Sequence, residues 1–346
     1  MVVLWNTVKI TLVSTDVQSE VEQMEAVKSD SAVSLIQIAL NTIDLPGSLR
    51  FYAEIFGFVN GGGIPIWGGP MQLQGLDSSA RGMMWWLVGR QKFFQLEIFQ
   101  HTRPEQRLQP ANWRPCDHGW TRFGISVSDI DSVRTGLALW GITPLGELTD
   151  ANGTRRLAFR DPFVGAIVEV VEFPHEAGTN RSNSPDAAVV YASFSVADLE
   201  DARTFYGEVL GFALTSRDSL HGPEHEALWG LAGAKVDGFV VESGQVRVEV
   251  VHYAEPNGRP KPADHQICDQ GVMNVALGSR DIATIEALVQ RIRAFDIHTT
   301  PPFEGDGSLV TYLTEPNRAV EIISLPEAID AEWGFVASKP FLGLDA

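Results

Sequence analysis

The stretch Leu45–Phe58 reads LPGSLRFYAEIFGF, and the chain repeats its pattern at Leu199–Phe212 as LEDARTFYGEVLGF. The two copies lie 154 residues apart. Other matched motifs, such as CDHG at 116–119 and CDQG at 268–271, keep the offset between 152 and 155. A steady offset over most of the chain indicates two homologous modules, and the period is too long for a solenoid. Each copy is therefore a unit of domain size.

Composition limits the classes of partner. The chain has 346 residues, 44% of them hydrophobic, which is typical of a soluble protein with two domains. Its net charge of -18 argues against binding to nucleic acid or to anionic membranes. No apolar run reaches the roughly 18 residues needed to cross a bilayer. We expect a small-molecule substrate as partner, no nucleic acid, no membrane, and a monomer or homodimer.

Cysteine usage bears on the compartment. The chain contains two cysteines, Cys116 and Cys268, at equivalent positions of the repeat. Two cysteines do not make a disulfide framework, which favours a reducing, cytoplasmic location. Both are expected to be small buried residues rather than nucleophiles.

Each module divides again into two halves. Ser34–Ile43 is typical of a strand, a helix follows it and ends at Gly57, and further strands lead to Glu97, which predicts a β-α-β-β-β unit. The segment before residue 32 has no counterpart in the repeat, and Met24 is an alternative start. It also lacks the cleavage pattern of a signal peptide. The predicted organisation is an extension at 1–31, a first module at 32–174, a linker at 175–186, a second module at 187–327 and a tail at 328–346.

Four such units resemble the vicinal oxygen chelate superfamily, which includes glyoxalase I, bleomycin-resistance proteins and extradiol dioxygenases. The resemblance is carried by the helix starts Asp44-Leu45 and Asp198-Leu199, by the two Phe-Tyr-x-x-x-x-Gly-Phe helices, and by the endings that lead to Glu169 and Glu321. It implies an α+β fold of two tandem modules, each with paired βαβββ units that form a cup-shaped mixed sheet. It covers residues 33–326, and such a scaffold supports many reactions.

The resemblance also implies which positions face each cup. In this superfamily a metal is held by residues of the first and last strands of each unit, often with histidine among them. The first-strand positions here are Gln37, Arg122, Tyr191 and Asn274. The last-strand positions are Glu97, Glu169, Glu249 and Glu321. None of the eight is a histidine, so the usual imidazole ligands are absent and a divalent metal is left open.

Two pairings of the units are compatible with the sequence, and we favour pairing within each module. That pairing joins Gln37, Glu97, Arg122 and Glu169 in one cup. The outer units, if paired, join Gln37, Glu97, Asn274 and Glu321 instead, an all-oxygen set suited to a hard divalent cation. In the favoured pairing the Arg122 guanidinium replaces the metal and forms an ion pair with Glu97 or Glu169.

The remaining candidates follow from these positions. The four glutamates, Tyr191 and His101 are predicted to be catalytic; His101 shares the strand face of Glu97 and offers an imidazole for acid–base chemistry. Large apolar side chains fit a flat or aromatic ligand. The predicted substrate-binding residues are Arg122, Asn274, Trp85, Trp86 and Trp120. The segment from His221 to His225 is predicted to be a mobile polar loop.

The sequence therefore predicts a glyoxalase-like or dioxygenase-like enzyme. It would act on a small aromatic or carbonyl-bearing substrate by carboxylate-assisted proton transfer or bond cleavage, as a lyase or isomerase does. One alternative is an extradiol ring-cleaving dioxygenase, against which the missing histidines count because imidazoles suit Fe(II). Another is a non-catalytic binder of the bleomycin-resistance type.

Overall fold

The computed structural model describes residues 32–173, 186–305, 307–315 and 317–339. The predictions for the N-terminal extension and for most of the linker lie outside these residues. The boundaries of the two modules stay a prediction. No helix among the described residues is long and apolar enough to cross a membrane.

The described chain forms four successive βαβββ units. The first contains β1 (Ser34–Asn41), α1 (Leu45–Phe56), β2 (Val59–Trp67), the short α2 (Gly69–Leu73), β3 (Arg81–Val88) and β4 (Gln95–Arg103). The second contains β5 (Gly119–Val127), α3 (Ile130–Leu139), β6 (Gly146–Thr149), β7 (Arg155–Arg160) and β8 (Ile167–Glu172). The third contains β9 (Ala188–Ser195), α4 (Leu199–Arg203, extended by a π-helix at Thr204–Val209), β10 (Leu214–Ser216), β11 (Lys235–Val241) and β12 (Arg247–Glu255). The fourth contains β13 (Gly271–Ser279), α5 (Ile282–Ala294), β14 (Phe303–Gly305), β15 (Ser308–Leu313) and β16 (Val320–Ser324).

The helix starts predicted from Asp-Leu pairs rest on N-caps. The Asp44 carboxylate accepts a hydrogen bond from the Gly47 amide at 3.1 Å, which satisfies a free N–H of the first turn of α1. Asp198 caps α4 in the same way. Gly57 ends α1 with a φ of 70°, a left-handed conformation that glycine adopts without strain.

Two eight-stranded sheets are formed, and each combines two units. The first, the outer sheet, has the order β14-β15-β16-β13-β1-β4-β3-β2, and the second, the inner sheet, has the order β10-β11-β12-β9-β5-β8-β7-β6. The α+β class with two curled, cup-forming mixed sheets is confirmed. The favoured pairing within modules is wrong, because the first unit joins the fourth and the second joins the third.

The reason for this error is physical. Strands β1 and β9 are homologous, and so are β5 and β13. Because homologous strands present the same local sequence pattern along their edges, β1 could pair with either β5 or β13. The outer pairing, which was the second alternative, is the one observed.

The hydrophobic core lies mainly between the helices and the sheets, with Phe51, Tyr52 and Phe159 fully buried. A second cluster packs on the outer sheet around Ile36 and Trp86. The tail contributes Phe335 and Trp333 to that cluster.

Candidate functional site

The outer sheet gathers four of the predicted site residues, which we call the outer cup. The central strands β1 and β13 supply Gln37 and Asn274, and the adjacent strands β4 and β16 supply Glu97 and Glu321. Ala39 pairs with both Asn274 and Glu97 in the strand ladder, which brings the two sides of the cup together. All four side chains are at most 5% exposed.

Gln37 joins the two carboxylates of the outer cup. Its Nε2 donates to Glu97 Oε2 at 2.6 Å and to Glu321 Oε2 at 3.2 Å. The Trp86 indole N–H donates to Glu97 Oε1 at 3.1 Å. Gln95 Nε2 donates to Gln37 Oε1 at 2.8 Å and so holds the amide in place. Among the described residues, no Lys, Arg or His forms an ion pair with Glu97 or Glu321.

Asn274 and Tyr312 complete the outer cup. Asn274 is 1% exposed, and within the described residues its amide interacts with the Tyr312 hydroxyl but forms no other hydrogen bond. A buried amide with so few partners is costly and calls for an explanation such as an ion or a ligand. Tyr312 lies opposite Glu321 in the ladder between β15 and β16 and interacts with its carboxylate.

The pKa values of the two carboxyl groups in the outer cup are raised above their usual range. Burial raises the pKa of Glu97 well above its usual value, and the neighbouring charge of Glu321 adds to the effect. Burial also raises the pKa of Glu321 to about 7, although its interaction with Tyr312 opposes this. Two acids in a dry pocket without a cation keep their protons. The outer cup therefore has an affinity for positive charge that the protein itself does not satisfy.

The inner sheet builds a homologous cup from Arg122, Glu169, Tyr191 and Glu249, which we call the inner cup. By the offset of the repeat, Tyr191 replaces Gln37 and Arg122 replaces Asn274. The last-strand glutamates are retained, with Glu249 at the position of Glu97 and Glu169 at that of Glu321. All four residues are fully buried.

Both carboxylate oxygens of Glu249 are bound by donor groups of the protein. Arg122 Nη2 forms an ion pair with its Oε2 at 2.5 Å, and Ser193 Oγ donates to the same oxygen at 2.8 Å. Arg217 Nε and His221 Nδ1 lie 3.0 and 2.9 Å from the other oxygen. Burial alone would raise the pKa of Glu249, yet the charges of Arg122 and His221 hold it well below its usual value.

Both carboxylate oxygens of Glu169 are bound as well. His221 Nε2 lies 2.9 Å from its Oε2, and the Tyr191 hydroxyl donates to the same oxygen at 2.6 Å. Arg156 forms an ion pair with the other oxygen at 2.8 Å. Against the effect of burial, these groups lower the pKa of Glu169 to about 2. The inner cup is thus an internally neutralised ion network.

Two predictions about this cup need correction. Arg122 pairs with Glu249 and not with Glu97 or Glu169, because its cup is built from the second and third units. The prediction of a mobile polar loop from His221 to His225 is wrong at His221, because its imidazole is fully buried between two carboxylates. Its counter-ions raise the pKa of His221 although burial opposes this. The repeat could have revealed the role of His221, because it places this residue in a loop that closes over a cup homologous to the outer one.

The two cups also differ in access. A cleft of about 800 Å³ reaches the outer cup at Asn274 and Tyr312, and Gln74 forms part of its wall. At the position equivalent to Gln74, the inner cup has Trp229, whose ring lies 4.2 Å from the Arg122 guanidinium. Access from solvent is therefore open on the outer side and closed by an indole on the inner side.

The other predicted residues are dispersed. Trp86 lies in the outer cup, whereas Trp85 belongs to the main core and donates to Asn60 Oδ1 at 2.7 Å. Trp120 donates to the Ala319 carbonyl at 2.8 Å and borders a second cleft of about 340 Å³. His101 is buried, 3.4 Å from Gln74 Oε1, and burial lowers its pKa to about 4. Its imidazole is therefore neutral at physiological pH.

The outer cup can be tested as a metal site. Within the described ranges, no group of three His, Cys, Asp or Glu side chains is arranged to hold a metal. The outer cup offers a different set, two carboxylates and two amides, which is the hard oxygen chemistry that Mg²⁺, Mn²⁺ and Ca²⁺ prefer. Apart from the Tyr312 hydroxyl, Asn274 has no competing partner among the described residues. Gln95 Oε1 is likewise unpartnered and can accept from a rotated Gln37 amide, whose oxygen then faces the carboxylates. The residues fit a hard divalent cation.

Comparison with known proteins identifies the class. Residues 188–320 match the family model of the Glyoxalase/Bleomycin resistance protein/Dioxygenase superfamily, which confirms the resemblance seen in the sequence. Glyoxalase I from Zea mays has a similar fold, with 14% identity, a TM-score of 0.54, and 88% of this chain and 95% of that chain covered. A putative dioxygenase from Bacillus subtilis subsp. subtilis str. 168 is similar at 13% identity and a TM-score of 0.58, covering 89% and 91%. No curated protein matches the chain.

Proposed function

We propose that the chain is an enzyme whose single active site is the outer cup. Gln37, Glu97, Asn274 and Glu321 would hold a hard divalent cation there. The substrate is a small carbonyl compound with two neighbouring oxygens, aromatic or aliphatic. The reaction is carboxylate-assisted proton transfer of the isomerase or lyase type.

The observation that carries this proposal is the contrast between two homologous cups. Each keeps both glutamates, but in the inner cup Arg122, Arg156, Arg217 and His221 neutralise them. In the outer cup the residue equivalent to Arg122 is Asn274, which is neutral and cannot compensate the two glutamates. The inner cup contains cations supplied by the protein itself, whereas the outer cup contains two acids and opens into a cleft. This contrast favours function in the outer cup.

The protein's own groups define what the site can do. A bound cation would polarise the carbonyl and stabilise the developing enolate. The Glu321 carboxylate takes a proton from the hydroxyl-bearing carbon next to that carbonyl and returns it to the carbonyl carbon. The hydroxyl proton passes to the former carbonyl oxygen, so hydroxyl and carbonyl exchange places and no further reactant is consumed. Tyr312 and Gln37 hold Glu321 in position. Burial of the cup excludes water from the enolate.

The same contrast assigns structural roles to the inner cup. Glu169, Glu249 and Tyr191 already use their hydrogen-bonding oxygens within the network. We therefore place these three predicted catalytic residues outside the chemistry. The extradiol alternative is not favoured, because Gln37 and Asn274 occupy positions where Fe(II) sites of that type use imidazoles.

The first test is metal binding. We expect protein purified without chelator or nickel chromatography to bind one Mn²⁺, measured by titration calorimetry and by the electron paramagnetic resonance signal of free Mn²⁺. Glu97→Gln and Glu321→Gln should lose this binding. The matched controls are Glu249→Gln and Glu169→Gln, at the equivalent positions of the inner cup, which should keep it. Equal loss in both pairs, or no binding in the parent, would contradict the site.

The second test is proton transfer. In D2O with Mn²⁺, the protein should exchange the methylene protons of 2-hydroxyacetophenone, which has vicinal oxygens and an aromatic ring, as followed by proton NMR. Glu321→Gln should abolish the exchange. Binding of this compound with no exchange of its protons, and with no turnover of other vicinal dioxygen compounds, would point instead to a non-catalytic binder of the bleomycin-resistance type.

A further inference from the structure

A lysine stands in the cleft that leads to the outer cup. Lys261 lies in the loop between β12 and β13, where it lines both the cleft that contains Asn274 and Tyr312 and the smaller cleft beside Trp120. Its aliphatic stem packs against the backbone of Gly119, where an added Cβ would meet the lysine Cε at 2.7 Å. The side chain is half-buried. No carboxylate within the described ranges forms an ion pair with its ammonium.

A chain of hydrogen bonds sets the position of that ammonium. Arg107 Nη2 and Nε bind the two oxygens of Asp269 at 2.6 and 2.9 Å. Asp269 Oδ2 lies 3.1 Å from His265 Nδ1, and His265 Nε2 lies 3.1 Å from Lys261 Nζ. Burial and the nearby ammonium lower the pKa of His265 to about 4, so the ring is neutral and its Nε2 accepts from the lysine. His265 is the single hydrogen-bond partner of Lys261 among the described residues, which leaves two N–H groups to donate.

The repeat shows that this arrangement is particular to the outer cleft. The loop between β4 and β5 is homologous, and its Asp117 is bound by Arg259 as Asp269 is bound by Arg107. At the positions of Lys261 and His265, however, it has Gln109 and Trp113. The cation and its imidazole partner therefore occur only in the loop that borders the open cup.

The other charges of the cleft support an anion at this point. Arg103 also lines the cleft, but the carboxylate of Asp77 on the same wall interacts with its charge. Asp264, which lines the neighbouring smaller cleft, pairs with Arg107. Burial lowers the pKa of Lys261 to about 8, although Asp269 opposes this, and an anionic ligand would reverse that cost. One ammonium with two free donors matches a monoanion better than a dianion.

We infer that the substrate of the outer cup carries a carboxylate, which Lys261 binds in the cleft while the carbonyl end reaches Asn274 and Tyr312. This inference rests on the proposed function and names its substrate class, a small carbonyl acid. Lys261 is a substrate-binding group here and takes no part in bond breaking.

The test uses benzoylformate as the probe and its methyl ester as the uncharged analogue. Calorimetry should show benzoylformate binding weakened about tenfold or more in Lys261→Gln, the loss expected for a charge-assisted hydrogen bond. Binding of the ester should be the same in both proteins. Lys92→Gln is the matched control, because Lys92 is exposed in the turn before β4, at the end of that strand opposite the cleft. An equal loss for acid and ester, or no loss, would overturn the inference.

A direct readout comes from the lysines themselves. The chain has six, so ¹³C-methyl labelling of the amines gives few resonances, and Lys261→Gln identifies the one of interest. Its titration midpoint should lie near pH 8 and move upward when benzoylformate binds. An unmoved midpoint would overturn the inference, and tighter binding of phenylphosphonate than of benzoylformate would overturn the choice of a carboxylate.

These outcomes separate from those of the proposed function. In metal-free protein and in Glu97→Gln, benzoylformate should still shift the Lys261 resonance even though Mn²⁺ no longer binds. If Mn²⁺ binds and the Lys261 variant behaves as the parent, the carboxylate contact is wrong and the metal site stands. If Lys261 responds to the acid but the parent binds no Mn²⁺, the reverse holds.

Discussion

Glu321 and Glu169 occupy equivalent positions in the two cups, yet their pKa values move in opposite directions, to about 7 and about 2 from an ordinary 4.5. A raised carboxyl pKa means that the folded protein retains a proton that the unfolded chain has released. Glu321 therefore costs stability as the pH rises from 4.5 towards 7, and the cost stays constant above that range. Glu169 has the opposite sign: it stabilises the fold above pH 4.5, and that stability is lost as the pH falls towards 2.

The size of each effect follows from the displacement of the pKa. About 2.5 pKa units correspond to about 3 kcal/mol. Glu321→Gln resembles the protonated acid, so in the presence of EDTA it should match the parent near pH 4.5 and exceed its unfolding free energy by up to about 3 kcal/mol at pH 8. Glu169→Gln should instead be less stable than its parent at pH 8, because it removes the nearest carboxylate partner of Arg156 and one of the two carboxylate partners of His221.

The assay is urea unfolding at pH 4.5, 6 and 8, with EDTA or with Mn²⁺. Added Mn²⁺ should raise the stability of the parent at pH 8 and leave Glu321→Gln unchanged, because binding to the folded state alone is stabilising. The reasoning is refuted if the two variants change stability in the same direction at pH 8, or if Glu321→Gln follows the parent at every pH in EDTA.

Three further changes test the assignment of the two cups. Asn274→His adds an imidazole to the outer cup and should raise the affinity for Zn²⁺ about tenfold, measured by competition with a chelating dye. Arg122→His, at the equivalent position of the inner cup, should gain no Zn²⁺ affinity. Arg122→Met should lower the unfolding free energy by about 3 kcal/mol in urea, because it removes a buried counter-ion of Glu249; melting like the parent would contradict this. Gln95→Ala should weaken Mn²⁺ binding about tenfold in calorimetry, since Gln95 holds the Gln37 amide; unchanged affinity would count against that role.

The local structure was predictable because it depends on near neighbours in the chain. The Asp caps, the closing glycine and the apolar face of α1 decide that helix within about fifteen residues. The four glutamates were predictable for a related reason. Their places follow from the repeat and from the resemblance, and all four do lie buried in the two cups, where Glu97 and Glu321 share one and Glu169 and Glu249 the other.

What the sequence could not decide was which carboxylate meets which partner. Homologous strand edges are interchangeable in their local pattern, so the choice between Glu97 and Glu249 as the neighbour of Arg122 depended on the pairing of whole units. His221 shows the same limit, because its charge state and role arise from two glutamates that are 28 and 52 residues away in sequence. The four units and the chemistry available at each cup position therefore follow from local sequence. That cations close one cup and leave the other open follows only from the fold, since ion pairing depends on distances in space and not on spacing along the chain.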